Sequence, residues 1–331
     1  MTQSDPSNAP FFSVIIPTRN RLELFKQAYE SVLNQSFSNF EVIVVNDGSD
    51  DEWLTKYQAF ESSAPENVHF RYQIKRPNGH GQSYSMNTGA LVAKGRYLCF
   101  LDDDDIWTDS HHLERAFKSI SDSHVQIDAY YTNQKAIYVD GTEKPGPIWL
   151  DDLVQHLSHK TSDNNGSYLV SAEELTTSHG FAHLNCSIVK RELYLSIKGM
   201  DENIRWECDH DFYLRTLDNA NTLLFNPAYI AQHLIPDVQK KNNMTTMVSM
   251  LEKRLYQVTV FEKCTLLLNK SALKKYSQKR LGYTFQHITD ELVSTKRMKE
   301  ASVYARKALA CNFSVRWLVF CYWLQLKALF S

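Results

Sequence analysis

The sequence predicts an α/β fold over residues 11–240, a mostly parallel, doubly wound (Rossmann-like) sheet, followed by a helical extension over 241–331. Three observations predict it. Short apolar runs of strand length alternate with stretches whose apolar residues recur at helical spacing. The first strand, helix and strand together span about thirty residues, the size of a βαβ unit. From about Met244 the strand pattern stops and only helical periodicity continues. Alternation followed by helices alone means a sheet covered on both faces, with a helical unit after it.

The elements follow in order. Residues 1–10 have no basic n-region and no apolar h-region, so a disordered lead-in is expected there and no signal peptide. Phe12-Ser-Val-Ile-Ile-Pro17, ended by proline, suits a buried parallel strand. Asn20, with Glu23 three residues on, predicts a capped helix start. Leu22, Phe25, Ala28, Tyr29, Val32 and Leu33 then form one apolar helix face. Phe40 to Val45 is the next strand, closed by Asn46-Asp-Gly-Ser49. A strand over 68–74, the loop Arg76-Pro-Asn-Gly-His-Gly81, a helix over 83–93 and a strand over 97–101 continue the alternation. Asp109 is expected to cap the helix after it.

Residues 127–139 predict antiparallel additions to the sheet. Residues 141–180 are rich in Gly, Pro, Ser, Asn and charge, and predict loops with a short helix over 151–159. Irregular stretches of that length often act as lids over a site. The polar segment 236–243 marks the expected domain boundary. Beyond it, Met298, Ala301, Tyr304, Ala305, Ala308 and Leu309 give one amphipathic helix. Residues 313–330 are apolar nearly all round, so something must cover them.

Composition excludes several classes. A net charge of −2 from 36 basic and 38 acidic residues gives no global field that would draw nucleic acid or an anionic membrane. The six cysteines show no CxxC pair and no framework spacing, which predicts reduced thiols and a cytoplasmic location. No stretch of about 20 apolar residues would span a bilayer. Residues 317–326 come nearest and are too few, so 313–331 is expected either to pack in the core or to touch the inner face of the membrane peripherally. Neither GxGxxG nor GxxxxGK[ST] follows the first strand, which argues against dinucleotide and P-loop chemistry.

The chemistry concentrates in Asp102 to Asp105, four consecutive aspartates just past the end of an apolar strand. In open α/β sheets that edge binds ligands. Adjacent carboxylates at about 5 Å repel by about 3 kcal/mol per pair at an effective dielectric of about 20. A hard divalent cation removes the conflict, and carboxylate oxygens are its preferred ligands. The alternative is a solvated loop ahead of a helix, against which Trp107 argues.

Four motifs occur in order: Ser13-Val-Ile-Ile-Pro-Thr-Arg-Asn20, Val44-Val-Asn-Asp-Gly-Ser49, Leu101-Asp-Asp-Asp-Asp-Ile-Trp107 and Cys208-Asp-His-Asp-Phe-Tyr-Leu-Arg215. Together they resemble the motif set of family 2 glycosyltransferases, which have the GT-A fold. The resemblance covers residues 11–235. It implies donor binding by Pro17, Thr18, Arg19, Asp47, Gly79, Asn87, Asp102 and Asp103, with Asp47 on the uracil ring. Arg19 departs from the aromatic residue often found there, though a guanidinium also stacks on a base. It implies metal binding by Asp104, with Asp102 and the C-terminal histidine His233. Asp209 falls where the family carries its catalytic base, although Cys208 replaces the usual Glu. Asp211 and Glu207 are the alternative carboxylates. Trp206 and Glu207 would face the acceptor.

Each residue also has a plainer role. Asp47 with Gly48 suits an Asx turn, Gly79 and Gly81 suit turn geometry, and His233 and Trp206 suit core packing. Asp209 and Asp211 suit helix capping. A zinc site at Cys208 and His210 lacks the four ligands such sites need.

The resemblance therefore implies an inverting glycosyltransferase that uses Mn²⁺ or Mg²⁺. It would move a sugar from a nucleotide diphosphate donor, UDP-linked, to a saccharide or lipid-linked acceptor in polysaccharide or glycan biosynthesis. The alternatives are a sugar nucleotidyltransferase and a non-catalytic nucleotide-sugar-binding protein. The former wants a Gly-rich basic loop after the first strand, which Pro17-Thr-Arg-Asn20 does not supply.

Overall fold

The computed structural model describes residues 9–235 and 248–329. Most of the expected lead-in and the boundary segment 236–243 lie outside the described residues. The chain divides into two compact units, Met1–Asn203 with Asn219–Asp237, and Ile204–Asp218 with Val238–Ser331.

The first unit is built on one sheet of β1 (Phe12–Thr18), β2 (Phe40–Asn46), β3 (Val68–Tyr72), β4 (Tyr97–Phe100), β5 (Ile106–Trp107), β6 (Ala129–Ile137), β7 (Tyr168–Val170), β8 (Ser187–Lys190) and β9 (Leu223–Leu234). Its helices are α1 (Leu22–Leu33), α2 (Asp51–Glu61), α3 (Gln82–Val92), α4 (His112–Ser121), α5 (Leu153–His156), α6 (Ala172–Leu175) and α7 (Arg191–Ser196). Strand order is β3-β2-β1-β4-β8-β6-β9-β5, with β7 also paired to β9. Strands β1 to β4 are mutually parallel, with Val14 opposite Val42 on one side and Cys99 on the other. Beyond β4 the sheet becomes mixed. Strand β8 runs antiparallel to β4 and β6, and β6 runs parallel to β9.

Burial on both faces explains the continuous apolar runs. Phe12, Val14 and Ile16 join Leu22, Phe25, Ala28 and Val32 of α1 in one core. Ile15 points the opposite way, as strand alternation requires. There α3 approaches so closely that a Cβ on Gly89 would lie 2.6 Å from Ile15 Cγ2. The chain leaves β1 for β2 on one side and returns to β4 on the other. The carboxyl ends of β1 and β4 therefore flank a topological switch point, where such sheets bind ligands.

Two expected caps are corrected. Helix α1 begins at Leu22 with Arg21 before it and no side-chain cap. Asn20, at φ 56°, instead exchanges two hydrogen bonds with Asp50, its Nδ2 to Asp50 Oδ2 and the Asp50 amide to its Oδ1. Asp109 does not cap α4 and pairs with Arg115.

His112 on α4 is wholly buried against Trp107, and neither ring nitrogen has a hydrogen-bond partner. Burial, helped by Arg115, pushes its pKa down to about 3. The folded state thus holds His112 neutral while the unfolded chain takes up a proton below the ordinary histidine value. Stability from this site is complete above about pH 6.5 and falls with decreasing pH by up to about 1.4 kcal/mol per unit. His112→Phe is expected to flatten that acid arm in urea titrations between pH 4 and 7. An unchanged pH dependence would refute it.

The second unit is helical. It comprises α8 (Cys208–Asn219) except its last residue, α9 (Met250–Leu267), α10 (Ser271–Ser294), α11 (Met298–Cys311) and α12 (Val315–Leu329). Ser249 and Glu252 form a capping box at the start of α9. Asp218 accepts the amides of Asn269 and Lys270 ahead of α10. From α9 to α12 each helix packs on the next, burying Phe261, Leu273, Phe285, Ala301, Ala305 and Leu324. The apolar tail is covered on one side only. Trp317 Nε1 and Cys321 Sγ both donate to the Ala305 carbonyl, at 2.9 and 3.2 Å. Among the described residues no helix is long and apolar enough to cross a membrane.

Candidate active site

The aspartate run forms a turn closed by the Asp105 amide on the Asp102 carbonyl at 3.1 Å, and its carboxylates alternate between partly exposed and buried. Asp103 and Asp105 are each only 1 % exposed. Arg21 bridges Asp103 and Asp104, with Nη1 2.8 Å from Asp104 Oδ2. Asp105 accepts the Leu234 amide at 2.9 Å, bonds His233 Nδ1 at 2.8 Å, and accepts from Asn185 Nδ2. Asn185 also accepts the Asp102 amide at 3.0 Å, so one side chain from the turn before β8 fixes both ends of the run. Gln82 of α3 donates to Asp102 Oδ1.

These contacts set the electrostatics. Burial, then Asp105 and Asp104, raises the Asp102 pKa well above the carboxylate range. Burial also raises Asp103, with Arg21 pulling against it. Desolvation opposes charge on His233, but Asp105 outweighs it and raises that pKa. His183, whose ring lies 5.2 Å from that of His233, goes the other way. Burial, reinforced by His233, pushes it down to about 3 and keeps the imidazole neutral.

Among the described residues, one atom each from Asp102, Asp105 and His183 lie within 4.8 Å of one another. Two crowded carboxylates, of which Asp102 has a raised pKa, and a neutral imidazole form a donor set that fits a divalent cation. This set differs from the expected one. Asp104 is turned to Arg21, Asp105 and His183 are gathered with Asp102, and His233 bonds Asp105. Sequence reasoning missed His183, Asn185 and Arg21.

The expected donor residues partly converge. Asp47 accepts the His80 amide on Oδ1 at 2.7 Å and the Gly81 amide on Oδ2 at 2.9 Å. Gly79 is at φ 64°, and a Cβ there would lie 2.4 Å from Asp47 Oδ2, so this turn requires glycine. Arg19 Nη2 donates to the Arg76 and Pro77 carbonyls at 3.2 and 3.0 Å, closing the same loop. Thr18, the last residue of β1, is buried against the Tyr57 hydroxyl at 2.6 Å, and Pro17 precedes it in the same strand. Asn87 stands apart from this group. Its amide bonds Met200 O, Glu202, Tyr194 OH and the Met200 amide, which commits it to the turn after α7. An open cavity of about 400 Å³, lined by Glu143, Lys144, Asp151, Gln155 and Tyr229, is formed largely by the irregular region.

The three candidate bases belong to the second unit. Asp211 is fully buried between Arg215 Nε and Lys263 Nζ, both at 2.8 Å. Glu207, at φ 66°, bonds His210 Nδ1 at 2.9 Å and Gln257 Nε2 at 3.1 Å. Burial opposes ionisation of Glu207, but its bonds to His210 and Gln257 hold the pKa below the usual range. Asp209 is partly exposed at the start of α8, and its Oδ1 accepts the His210 amide at 2.9 Å. His210 spends its second nitrogen on the Tyr276 hydroxyl, which removes it as a zinc ligand beside Cys208. One face of Trp206 is covered by Lys253 Nζ at 4.6 Å from the ring centroid.

Residues 13–193 match the family model described as Glycosyl transferase family 2. The chain belongs to that family. The match takes in Asp47 and the aspartate run and stops short of α8. An uncharacterized glycosyltransferase of Nostoc sp. is 32 % identical over 146 residues, 43 % of each chain. The GalNAc(5)-diNAcBac-PP-undecaprenol beta-1,3-glucosyltransferase of Campylobacter jejuni is 34 % identical over 96 residues, 29 % of this chain and 30 % of that one. The matched stretches thus span less than half of either relative. Among solved structures, S. aureus TarS 1–349 in complex with UDP-GlcNAc superposes with a TM-score of 0.67 at 16 % identity, covering 96 % of this chain and 87 % of that one. Mannosyltransferase PcManGT from Pyrobaculum calidifontis, in complex with GDP-Man and Mn²⁺, gives 0.60 at 16 %, covering 98 % and 82 %. The fold of this glycosyltransferase is GT-A, with helices after it, and family membership removes the sugar nucleotidyltransferase reading.

Proposed function

We propose that this glycosyltransferase is inverting and metal-dependent. It moves a sugar from a UDP-linked donor to a saccharide, free or lipid-linked, in glycan or polysaccharide assembly in the cytoplasm. The observation that carries this reading is the Asp102, Asp105 and His183 donor set at the carboxyl end of β4, at the sheet's switch point. A divalent cation, Mn²⁺ or Mg²⁺, held by those residues would supply charge neutralisation to the departing diphosphate. Asp47 retains acceptor capacity beyond its two amide bonds and would take a ring N–H of the base. Arg19 and the Gly79 turn would border that base.

Asp209 is the proposed general base, since Asp211 is closed off and Glu207 is held by two partners. The acceptor oxygen attacks C1 of the donor sugar, and the C1–O bond to the diphosphate breaks. The proton passes to Asp209. A single displacement inverts the anomeric centre. Support for UDP and for a lipid-linked acceptor comes from the ligand and names of the compared proteins; the Mn²⁺ of PcManGT supports the metal.

The test is a panel of UDP-, GDP- and dTDP-sugars incubated with Mn²⁺, Mg²⁺ or EDTA, scored by release of nucleoside diphosphate. One UDP-sugar is expected to be hydrolysed, and only with metal. Hydrolysis that persists in EDTA overturns the metal dependence, and failure with every donor overturns the catalytic reading.

A further inference from the structure

We propose that the outer face of α12 is a docking surface for an anionic phospholipid membrane. Val315, Val319, Tyr322, Leu326 and Leu329 recur every three or four residues and form a single stripe, each 60–76 % exposed. Trp323 beside it is also exposed, while Trp317, Cys321 and Leu324 face α11. A continuous apolar stripe on a packed helix marks an interaction surface.

Charge selects the occupant. Residues 248–329 hold fifteen Lys and Arg against five Asp and Glu, a net +10 in a chain whose total is −2. No acidic residue follows Glu300, and Arg316 and Lys327 flank the stripe. Two copies of so basic a unit would repel one another, whereas an anionic surface attracts it. The helix has 15 residues and is about 22 Å long, too short for a hydrocarbon core of about 30 Å. It would therefore lie in the interfacial plane, with Tyr322 and Trp323 at the headgroup level that such rings favour.

Docking is independent of donor chemistry, so donor hydrolysis without vesicles serves as the folding control. The full chain is floated with vesicles of phosphatidylcholine alone and with 30 % phosphatidylglycerol at low salt. Binding is expected only with phosphatidylglycerol, and at least tenfold weaker in 0.5 M NaCl. The double variant Val319→Ser, Leu326→Ser should bind at least tenfold more weakly, with its melting temperature and donor hydrolysis kept. Arg316→Glu with Lys327→Glu should weaken binding without touching the apolar stripe. Equal binding by wild type and both variants, or no binding to any vesicle, overturns the proposal. So does a solution dimer that the stripe variant converts to monomer, since that face would then be covered by a second copy.

Discussion

Asp209→Asn is expected to lower kcat by roughly 10²–10⁴, the usual contribution of a general base, and to leave donor affinity near wild type. The amide preserves the size of the side chain and its acceptor oxygen for the His210 amide, so α8 should start as before. What it loses is the ability to take a proton. The neighbouring carboxylates predict different outcomes. Asp211→Asn leaves Arg215 and Lys263 facing a buried neutral group, and breaking such a site costs about 3–5 kcal/mol. Its signature is a fall in melting temperature. Glu207→Gln weakens the bonds to His210 and Gln257 and should show a smaller loss of both stability and rate. Single-turnover transfer, with melting temperatures measured in parallel, separates these outcomes. Turnover retained in Asp209→Asn and lost in a fully folded Glu207→Gln would move the base two residues back.

Strands β1, β2 and β4 are legible in the sequence because both their faces are buried, which forces uninterrupted apolar runs. Strand β9 is not, beyond its last residues. It runs from Leu223 through Asn226 and Pro227 to a half-exposed Tyr229, and this breaks any period of two. The aspartates stand out because they are contiguous. Their partners do not, because proximity across the sheet leaves no trace in spacing. Asn185 bonds Asp105 across 80 residues of chain, and Arg21 reaches Asp103 across 82. Asn20 has the residue type and spacing of a helix cap, yet a tertiary pair with Asp50 claims its side chain. A cap is a local inference, and a long-range hydrogen bond of similar strength overrides it.

The metal assignment yields the second large effect. Asp102→Asn is expected to weaken metal-dependent UDP binding at least tenfold, because an amide is a much poorer ligand for a hard cation than a carboxylate. His183→Ala should do the same, since among the described residues its neutral imidazole is the nitrogen gathered with the two carboxylates. Asp105→Asn should do so at a further cost in stability, because Asp105 also holds the Leu234 amide, His233 and Asn185. Asp104→Asn is the discriminating variant. Asp104 is partly exposed and faces Arg21 at 2.8 Å, and an ion pair near the surface contributes about 1 kcal/mol. Its replacement should leave the fold intact and change Mn²⁺-stimulated UDP affinity only slightly. Calorimetric titration of UDP with and without Mn²⁺ decides the order. If Asp104→Asn abolishes the metal stimulation and Asp105→Asn retains it, Asp104 is the ligand and must leave Arg21 to coordinate the cation.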